Sequence, residues 1–364
     1  MTRPTLFPAL ALAVLACTDA ASDDETGTPD APPEVLELTV DGTAPAYVDF
    51  AKGEVLGLDA DGATTDTTWD LAFLGTTIRV NSGPSGPGSA GVGLMATPEG
   101  LYDESGAPVE AAFQMATAKS TLELFLSDLE VPSPEPDEIT SVFDDTFYNY
   151  NAATGDLSED DTVGYLVRLA NGTDYARVRV TNIDFLTRNG KGIESFTIEV
   201  EPSLPPATDT PAFGPSVPFT GAIPAEGALC FDLETEATVA CEGADWDLSF
   251  GFFGRTTFIY TNGGDLGPGQ GASLGPIDWV ELQDYPSATE DAQAQDLTND
   301  FESDRFVGPF DVNPWFAMFG KTSRPNYRVY YLDPNDDGDA YVLQILGAED
   351  GTTDGPTLIR YYAL

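Results

Sequence analysis

Histidine is absent from this chain of 364 residues. Ser-His-Asp and Cys-His nucleophile systems, zinc sites built on imidazole and imidazole acid–base chemistry are therefore all excluded. Among the 61 acidic residues, no pair of carboxylates stands out as a glycosidase pair. The glycine-rich segments are not followed by Lys-Ser or Lys-Thr, so they do not indicate a phosphate-binding loop. We therefore expect a protein that is not an enzyme.

Basic residues are also scarce. Only 15 lysines and arginines accompany 61 acidic residues, and the formal net charge is −46. A charge of this sign and size repels nucleic acid and anionic membrane surfaces, and it keeps a protein soluble. We expect a monomer that has no nucleic-acid partner.

Long apolar runs are missing except at the N-terminus. The run there, residues 6–15, is too short to span a bilayer permanently and is typical of an export signal. The sequence Val-Leu-Ala-Cys that ends at Cys17 resembles the bacterial lipobox, whose cysteine is lipidated; the alternative is an ordinary signal peptide with an incidental cysteine. We predict a lipoprotein signal peptide over 1–16, a lipid anchor on Cys17 that holds the protein at a membrane, and a disordered tether over 17–34.

Tryptophan occurs only four times, yet the pentapeptide Trp-Asp-Leu-x-Phe appears twice, at Trp69–Phe73 and at Trp246–Phe250. Each copy leads into an Asn-containing segment and then into a loop rich in glycine. Later in each half, at 165–180 and 327–345, two alternating apolar runs are joined by a polar turn, which is typical of a β-hairpin. The recurrence predicts a tandem duplication of one β-rich unit, with Trp69 and Trp246 in equivalent buried positions.

The spacing of strand-like and turn-like segments gives the domain limits. We predict a mostly β fold with two β-rich domains, at 35–201 and 219–364, joined by a proline-rich linker at 202–218. The minor helical content is expected at 109–129 and at 288–301, where alanine, glutamine and acidic residues are frequent.

Two of the three cysteines lie close together in the second half. Cys230 and Cys241 flank a short segment that is expected to form two strands around Glu234–Glu236, which places the two cysteines opposite one another. Because an exported protein reaches an oxidising compartment, we predict a disulfide that acts as a local staple.

The order of these features resembles the HmuY family of bacterial outer-membrane haem-binding lipoproteins. The shared features are the Trp-Asp motif, the Asn-Gly segment, the glycine-rich loop and the late tyrosine-rich hairpin, and the lipobox agrees with them. The resemblance implies two tandem HmuY-like β-rich domains with a haem pocket between loops. It further implies capture of haem or a related tetrapyrrole at the outer membrane or cell surface, with a TonB-dependent receptor as partner. The alternative is a structural or protein-interaction lipoprotein that has lost haem binding.

The founding members of that family bind haem iron through two histidines, which this chain lacks. Some relatives are understood to use methionines, so the resemblance makes Met95 and Met115 the candidate haem ligands; the alternative is that both fill the core. Haem propionates require cationic partners, and the basic residues close to the glycine-rich loops are Arg79, Lys119 and Arg255. The alternative role for these three is ordinary surface ion pairing.

One acidic segment has the spacing of a calcium loop. Asp333, Asn335 and Asp337 alternate before Gly338, as at the start of an EF-hand loop, which makes a calcium ion a second possible cofactor. The twelfth position would be Gln344 and not the bidentate glutamate that such a loop requires. The alternative is an acidic hairpin turn.

Overall fold

Antiparallel β-strands form most of the protein, and the helices among the described residues are short. The predicted mostly β fold with minor helix is therefore confirmed. The predicted signal peptide, Cys17, nearly all of the tether, Arg255 and Asp337 lie outside the described residues. The computed structural model describes residues 33–185, 192–205, 212–223, 227–253, 256–335 and 338–364.

Twenty-four strands and five helices follow one another along the described parts of the chain. The first twelve strands are β1 (Leu36–Val40), β2 (Ala46–Asp49), β3 (Glu54–Leu56), β4 (Leu71–Leu74), β5 (Thr77–Val80), β6 (Gly91–Ala96), β7 (Glu138–Thr140), β8 (Tyr148–Asn151), β9 (Asp156–Glu159), β10 (Val163–Arg168), β11 (Tyr175–Asp184) and β12 (Ile193–Pro202). The next twelve are β13 (Val217–Ile223), β14 (Ala228–Asp232), β15 (Ala237–Val239), β16 (Leu248–Phe253), β17 (Thr256–Thr261), β18 (Ala272–Asp278), β19 (Arg305–Val307), β20 (Phe316–Phe319), β21 (Thr322–Pro325), β22 (Val329–Asp333), β23 (Tyr341–Gly347) and β24 (Thr357–Ala363). The helices are α1 (Ala60–Ala63), α2 (Glu110–Met115), α3 (Leu122–Phe125), α4 (Trp279–Leu282) and α5 (Pro309–Val312).

Two five-stranded antiparallel sheets with the same plan organise the fold. The first has the order β1-β24-β23-β22-β6 and the second has the order β13-β12-β11-β10-β18. Each is accompanied by a four-stranded sheet, β3-β2-β4-β5 or β15-β14-β16-β17, that carries one Trp-Asp motif at its third strand. The predicted late hairpins are confirmed, because β10 pairs with β11 and β22 pairs with β23 in antiparallel register.

Alternation of side chains along the strands places the core between the sheets. On β12, Phe196, Ile198 and Val200 are buried, while the intervening Thr197 and Glu199 are more exposed, as expected for a strand with one face on the core. Two large hydrophobic clusters result. One draws its residues from 143–259, and the other draws its residues from 40–92 together with 310–361.

The pairing of strands crosses the middle of the chain. β6 pairs with β22 and β1 pairs with β24, so the N-terminal and C-terminal segments share one sheet. We call residues 33–137 together with 305–364 the split unit, and residues 138–304 the central unit. The limits predicted from the sequence, 35–201 and 219–364, stay a prediction, and the strand pairing does not follow them.

The chain passes between the two units at two short strands that pair with each other. β7 leads from the split unit into the central unit, and β19 leads back. They are antiparallel, with Ile139 opposite Phe306 and with Glu138 and Thr140 opposite Val307 and Arg305.

The helical predictions succeed in one half and fail in the other. Within 109–129, α2 and α3 form as two short pieces. The predicted helix at 288–301 is wrong. The side chain of Asp291 accepts hydrogen bonds from the backbone of Gln293 and Gln295, and Asp296 does the same for Thr298, so turns replace the helix. Among the described residues, no helix has the length and apolar character needed to cross a membrane.

The predicted disulfide between Cys230 and Cys241 is confirmed, and it joins β14 to the segment after β15. Replacing both cysteines with serine is expected to lower the free energy of unfolding by about 2–3 kcal/mol, because the bridge restricts a short loop in the unfolded chain. Urea unfolding of the oxidised protein and of the double variant measures this difference. An unchanged midpoint and slope would show that the bridge does not constrain the unfolded state.

Candidate functional site

The first Trp-Asp motif is a structural clamp. Trp69 is 1% exposed, and its indole nitrogen donates to the carbonyl oxygen of Ala63. The amide of Asn81 donates from Nδ2 to the carbonyl oxygen of Trp69 and accepts at Oδ1 from the backbone of Gly88. A Cβ on Gly86 would lie 2.1 Å from Asn81 Oδ1 and 2.6 Å from Trp69 Cζ2. The glycine-rich loop is therefore packed directly on the tryptophan and the asparagine.

The second motif repeats this geometry. Trp246 is 4% exposed, and Asn262 donates to its carbonyl oxygen and accepts from the backbone of Gly269. A Cβ on Gly267 would lie 1.9 Å from Asn262 Oδ1. Both tryptophans are thus buried, as the sequence predicts, and the glycines serve the close approach of the loop and not a ligand.

The aspartate of each motif ties the four-stranded sheet to a turn of the five-stranded sheet. Asp70 accepts at Oδ2 from the backbone of Phe50 and at Oδ1 from that of Asn335. Asp247 accepts at Oδ2 from the backbone of Leu233 and at Oδ1 from that of Ala170. The residues that carry the family resemblance are therefore the ones that hold the two sheets together.

The position of Asn335 gives the calcium prediction no support. Its Oδ1 accepts from the backbone of Ala90 at 2.9 Å, and its Nδ2 donates to the carbonyl oxygen of Trp69. The amide is thus committed to the loop over the tryptophan and is not free to ligate an ion. Asp333 is exposed at the end of β22, and Asp337 lies outside the described residues. Nowhere in the described part of the chain do three metal-ligating side chains cluster.

The two predicted propionate partners that the structure describes, Arg79 and Lys119, lie at different places. Arg79 forms an ion pair with Asp311 on α5. Lys119 is exposed in the turn between α2 and α3, and Arg255 falls in a segment that is not described. Beside the first motif lies a cavity of about 210 Å³, which is lined by acidic and polar side chains and by Lys52 and is small for a tetrapyrrole.

A larger cavity lies elsewhere, where the segment after β6 meets α2 and α3. Its volume is about 700 Å³. Leu101 and Thr121 are buried and form its floor, while Met115 is 74% exposed at its rim. We call it the α2–α3 cavity. The other lining residues are Pro98, Glu99, Gly100, Ala112, Ala116, Ser120, Glu123, Leu124 and Ser127.

The two candidate methionines are placed differently. Met115 lines the α2–α3 cavity, whereas Met95 on β6 is half-buried and packs against the cluster of Phe125, Val329 and Val342. Met95 is not among the residues that line the cavity. Met95 thus occupies the core position that the alternative interpretation assigned to it, and Met115 does not.

Below the cavity floor lies a polar cluster that sequence reasoning missed. Arg360 on β24 is 4% exposed, and its guanidinium donates to the carbonyl oxygen of Ala118 at 2.6 Å, to Thr121 Oγ1 at 3.2 Å and to Gln344 Oε1. Its Nε has no hydrogen-bond partner. The signal in the sequence is one arginine inside an otherwise apolar strand, Thr-Leu-Ile-Arg-Tyr-Tyr. Burial lowers the pKa of Arg360 to about 10.

Two buried carboxylates lie where the chain passes between the units. Asp137 accepts at Oδ2 from the backbone of Val80, and Asp304 accepts at Oδ2 from both the backbone and the hydroxyl of Thr261. Each is 1% exposed, and Oδ1 of each has no partner. Burial raises the pKa of both carboxyl groups above the ordinary value, in spite of these hydrogen bonds.

A pH dependence follows from that direction. A carboxyl group whose pKa is higher in the folded state than in the unfolded state binds its proton more tightly when folded, so its contribution to stability falls as pH rises above about 4. Replacing Asp304 with asparagine keeps an oxygen for Thr261 and removes the buried charge. The gain in stability from Asp304→Asn is expected to be larger at neutral pH than at pH about 4.

Urea unfolding at the two pH values measures this difference. Asp103→Asn is the control, because hydrogen bonds from Ser105 and Ala107 lower the pKa of that exposed carboxyl group. The control is expected to lose stability at neutral pH. An equal effect of Asp304→Asn at both pH values would show that the carboxyl group does not titrate differently on folding.

Comparison with known proteins agrees with the resemblance seen in the sequence. Residues 43–197 match the family model described as HmuY protein, so this part of the chain is HmuY-like. The α2–α3 cavity falls within the matched residues. The HmuY family consists of surface proteins that are associated with haem binding and are not enzymes. No curated protein matches the chain significantly.

Proposed function

We propose that the protein captures haem or a related tetrapyrrole at the cell surface without catalysing a reaction, and that the α2–α3 cavity is the binding site. The observation that carries this proposal is a cavity of about 700 Å³ within the HmuY-like residues 43–197. Sites for cofactors usually have volumes of about 300–1,000 Å³ and are mainly apolar. Leu101, Ala112 and Leu124 supply the apolar lining.

The lining of the α2–α3 cavity contains one side chain that can ligate haem iron, a thioether. Met115 is the only lining residue with a sulfur atom, and its side chain is exposed at the rim. Methionine thioethers are established axial ligands of haem iron, so the iron itself would bind the sulfur atom. A pair formed by Met95 and Met115 is not proposed, because Met95 packs in the core. The floor and α2 would hold the macrocycle by apolar contact.

Replacing Met115 with leucine is expected to weaken hemin binding by about tenfold and to change the absorption spectrum of the complex, because the apolar volume is kept while the sulfur is lost. Met318→Leu is the matched control, since Met318 is also exposed but lies on β20. Absorption titration of both variants with hemin measures the change. Equal spectra and affinities for the two variants would exclude Met115 as a ligand.

We also infer that the protein is exported, lipidated on Cys17 and partnered by a TonB-dependent receptor at the outer membrane. The lipobox-like sequence and the HmuY-like match support this placement. Mass spectrometry of the protein isolated from membranes tests it. A mature chain that begins at Cys17 with a diacylglyceryl group is expected, and a chain cleaved elsewhere or left unmodified contradicts the anchor.

We further propose that the chain is a duplication in which the two copies have exchanged their C-terminal strands. The two motifs, the two five-stranded sheets and the two buried aspartates correspond one to one. The HmuY-like match is continuous over 43–197, yet β6 in this segment pairs with β22 and not with β10. An exchange of strands requires two connections that cross between the copies. The antiparallel strands β7 and β19 are these two connections.

Engineered disulfides distinguish the exchanged from the unexchanged arrangement. Thr39 on β1 faces Leu358 on β24, whereas in an unexchanged copy its neighbour would be Thr197, which in this protein faces Thr220. Thr39→Cys with Leu358→Cys is expected to form a cross-link under mild oxidation, and Thr39→Cys with Thr197→Cys is expected to form none. Peptide mapping identifies the bridge, and the opposite result would contradict the exchange.

A further inference from the structure

One cross-strand pair of residues differs in charge between the two five-stranded sheets. In the central unit, Arg179 and Glu199 are opposite one another on β11 and β12 and form an ion pair at 2.8 Å. In the split unit, the corresponding strands β23 and β24 place Gln344 opposite Arg360. In the split unit, Gln344 stands at the position of Arg179 and Arg360 stands at the position of Glu199. The arginine of this pair therefore faces a neutral amide and not a carboxylate.

The guanidinium of Arg360 is held by neutral groups: its three hydrogen-bond acceptors and the ring of Phe125, whose centroid lies 4.7 Å from Cζ. No carboxylate in the described part of the chain lies within ion-pair distance of it. Its other cross-strand neighbour, Glu37 on β1, is exposed and interacts only at longer range. A buried cation that is held by neutral groups recovers less of its desolvation cost than one that is paired with an opposite charge. An anionic ligand would supply that opposite charge.

The cluster meets the cavity at Thr121. This residue is 6% exposed, lines the cavity floor and accepts a hydrogen bond from Arg360. Its own hydroxyl proton faces three acceptors at 3.1–3.4 Å, the carbonyl oxygens of Thr117 and Ala118 and Oε1 of Gln344. None of these distances is that of a short O–H···O bond, so the hydroxyl can rotate towards a ligand.

Charge at the cavity is divided between rim and floor. The two carboxylate-bearing residues that line it, Glu99 and Glu123, are both exposed. The cation lies behind the buried floor. An elongated ligand with an apolar body and one anionic end would therefore place the anion at the floor and the body along the apolar lining. This orientation keeps the anion away from the acidic rim.

We propose that Thr121 and Arg360 form an anion-binding subsite at the floor of the α2–α3 cavity, and that the cavity takes amphipathic ligands with a carboxylate or similar group. For a tetrapyrrole, the group is a propionate. This assignment rests on the proposed function for the identity of the ligand. It replaces Arg79 as the propionate partner, since Arg79 is paired with Asp311.

The test supplies Arg360 with an internal partner. Gln344→Glu places a carboxylate on the cross-strand neighbour that already contacts the guanidinium, and the chain itself shows such a pair in Arg179 and Glu199. The affinities of the wild type and of Gln344→Glu are measured for hemin and for hemin dimethyl ester, which lacks the two carboxylates. Glu199→Gln, made in the equivalent pair of the central unit, is the matched control.

The wild type is expected to bind hemin about tenfold to a hundredfold more tightly than the diester, because esterification removes the negative charge that Thr121 hydrogen-bonds and that Arg360 attracts from behind the floor. Gln344→Glu is expected to abolish this preference and to leave the affinity for the diester unchanged. Glu199→Gln is expected to keep the preference. If Gln344→Glu keeps it as well, or if the wild type has no preference, the subsite is wrong although haem capture stands.

A second probe separates this inference from the proposed function. If the wild type binds neither porphyrin, haem capture is wrong, and the subsite is then tested with anilinonaphthalene sulfonate, an apolar fluorophore that carries one anionic group. The fluorescence increase is expected to saturate with the wild type and to require about tenfold more probe with Gln344→Glu. Equal titration curves for the two proteins would overturn the subsite. Thermal unfolding of both proteins confirms that they are folded.

Discussion

Replacing Trp69 with alanine is expected to lower the free energy of unfolding by about 3–5 kcal/mol, the range for truncation of a large buried aromatic residue. The indole is 1% exposed, packs edge-on against Tyr47 and lies under Gly86. Its loss leaves a cavity and also frees the glycine-rich loop. Because globular proteins are stable by only about 5–15 kcal/mol, this single change brings the protein close to unfolding.

Urea unfolding monitored by circular dichroism measures this effect. Trp246→Ala is expected to give a loss of similar size, because Trp246 is also buried and is covered by Asn262 and the second glycine-rich loop. Tyr150→Ala is the control, since Tyr150 is 46% exposed, and a change of less than about 1 kcal/mol is expected there. A loss at Trp69 no greater than that at Tyr150 would show that the clamp does not support the fold.

Filling the α2–α3 cavity is expected to weaken hemin binding by about a hundredfold or more, because the apolar contact area is then occupied by protein. Ala112→Trp introduces the obstruction from α2, where Ala112 lines the cavity. Ala111→Trp is the matched control, because Ala111 is on the same helix but is exposed and outside the lining.

Absorption titration compares the two variants, and thermal unfolding checks that both are folded. The control is expected to bind hemin as the wild type does. If Ala112→Trp binds as tightly as Ala111→Trp, haem is bound elsewhere or not at all, and the α2–α3 cavity loses its assigned role.

The sequence predicts the parts of this fold that are specified locally. The alternation of apolar residues predicts the two hairpins, and the short spacing of Cys230 and Cys241 predicts their bridge. The Trp-Asp motif predicts two buried tryptophans. Each of these features depends on residues that are close along the chain or on a repeated pattern, and both can be recognised from the sequence alone.

Such patterns do not predict which distant strands pair or which distant residues form hydrogen bonds. β6 is compatible in principle with either late hairpin, because the two hairpins have similar sequences, and only the three-dimensional arrangement shows that it pairs with β22. The same holds for Asn335. In the sequence Asn335 has the spacing of a calcium ligand. In the structure its side-chain amide forms hydrogen bonds with the backbone of Trp69 and Ala90, which are more than 240 residues away.

The cavity and its cluster were beyond sequence reasoning for a related reason. Thr121, Gln344 and Arg360 come from the turn that precedes α3 and from two strands near the C-terminus, and they meet only because the split unit joins both ends of the chain. Of the selected residues that the structure describes, Met115 alone lines the cavity, and Lys119 lies in the adjoining turn. Met95, Arg79, Asp333 and Asn335 lie outside the cavity lining.

Hemin titration of the purified full-length protein, followed at the Soret band, is the measurement that tests haem capture most directly. A single saturable transition is expected, with a spectrum that does not correspond to bis-histidine ligation because the chain has no histidine. Wild type and Ala111→Trp should share this transition, and Ala112→Trp should lack it. A linear absorbance increase without saturation in all three proteins would contradict haem capture and would favour an interaction lipoprotein that has lost its cofactor.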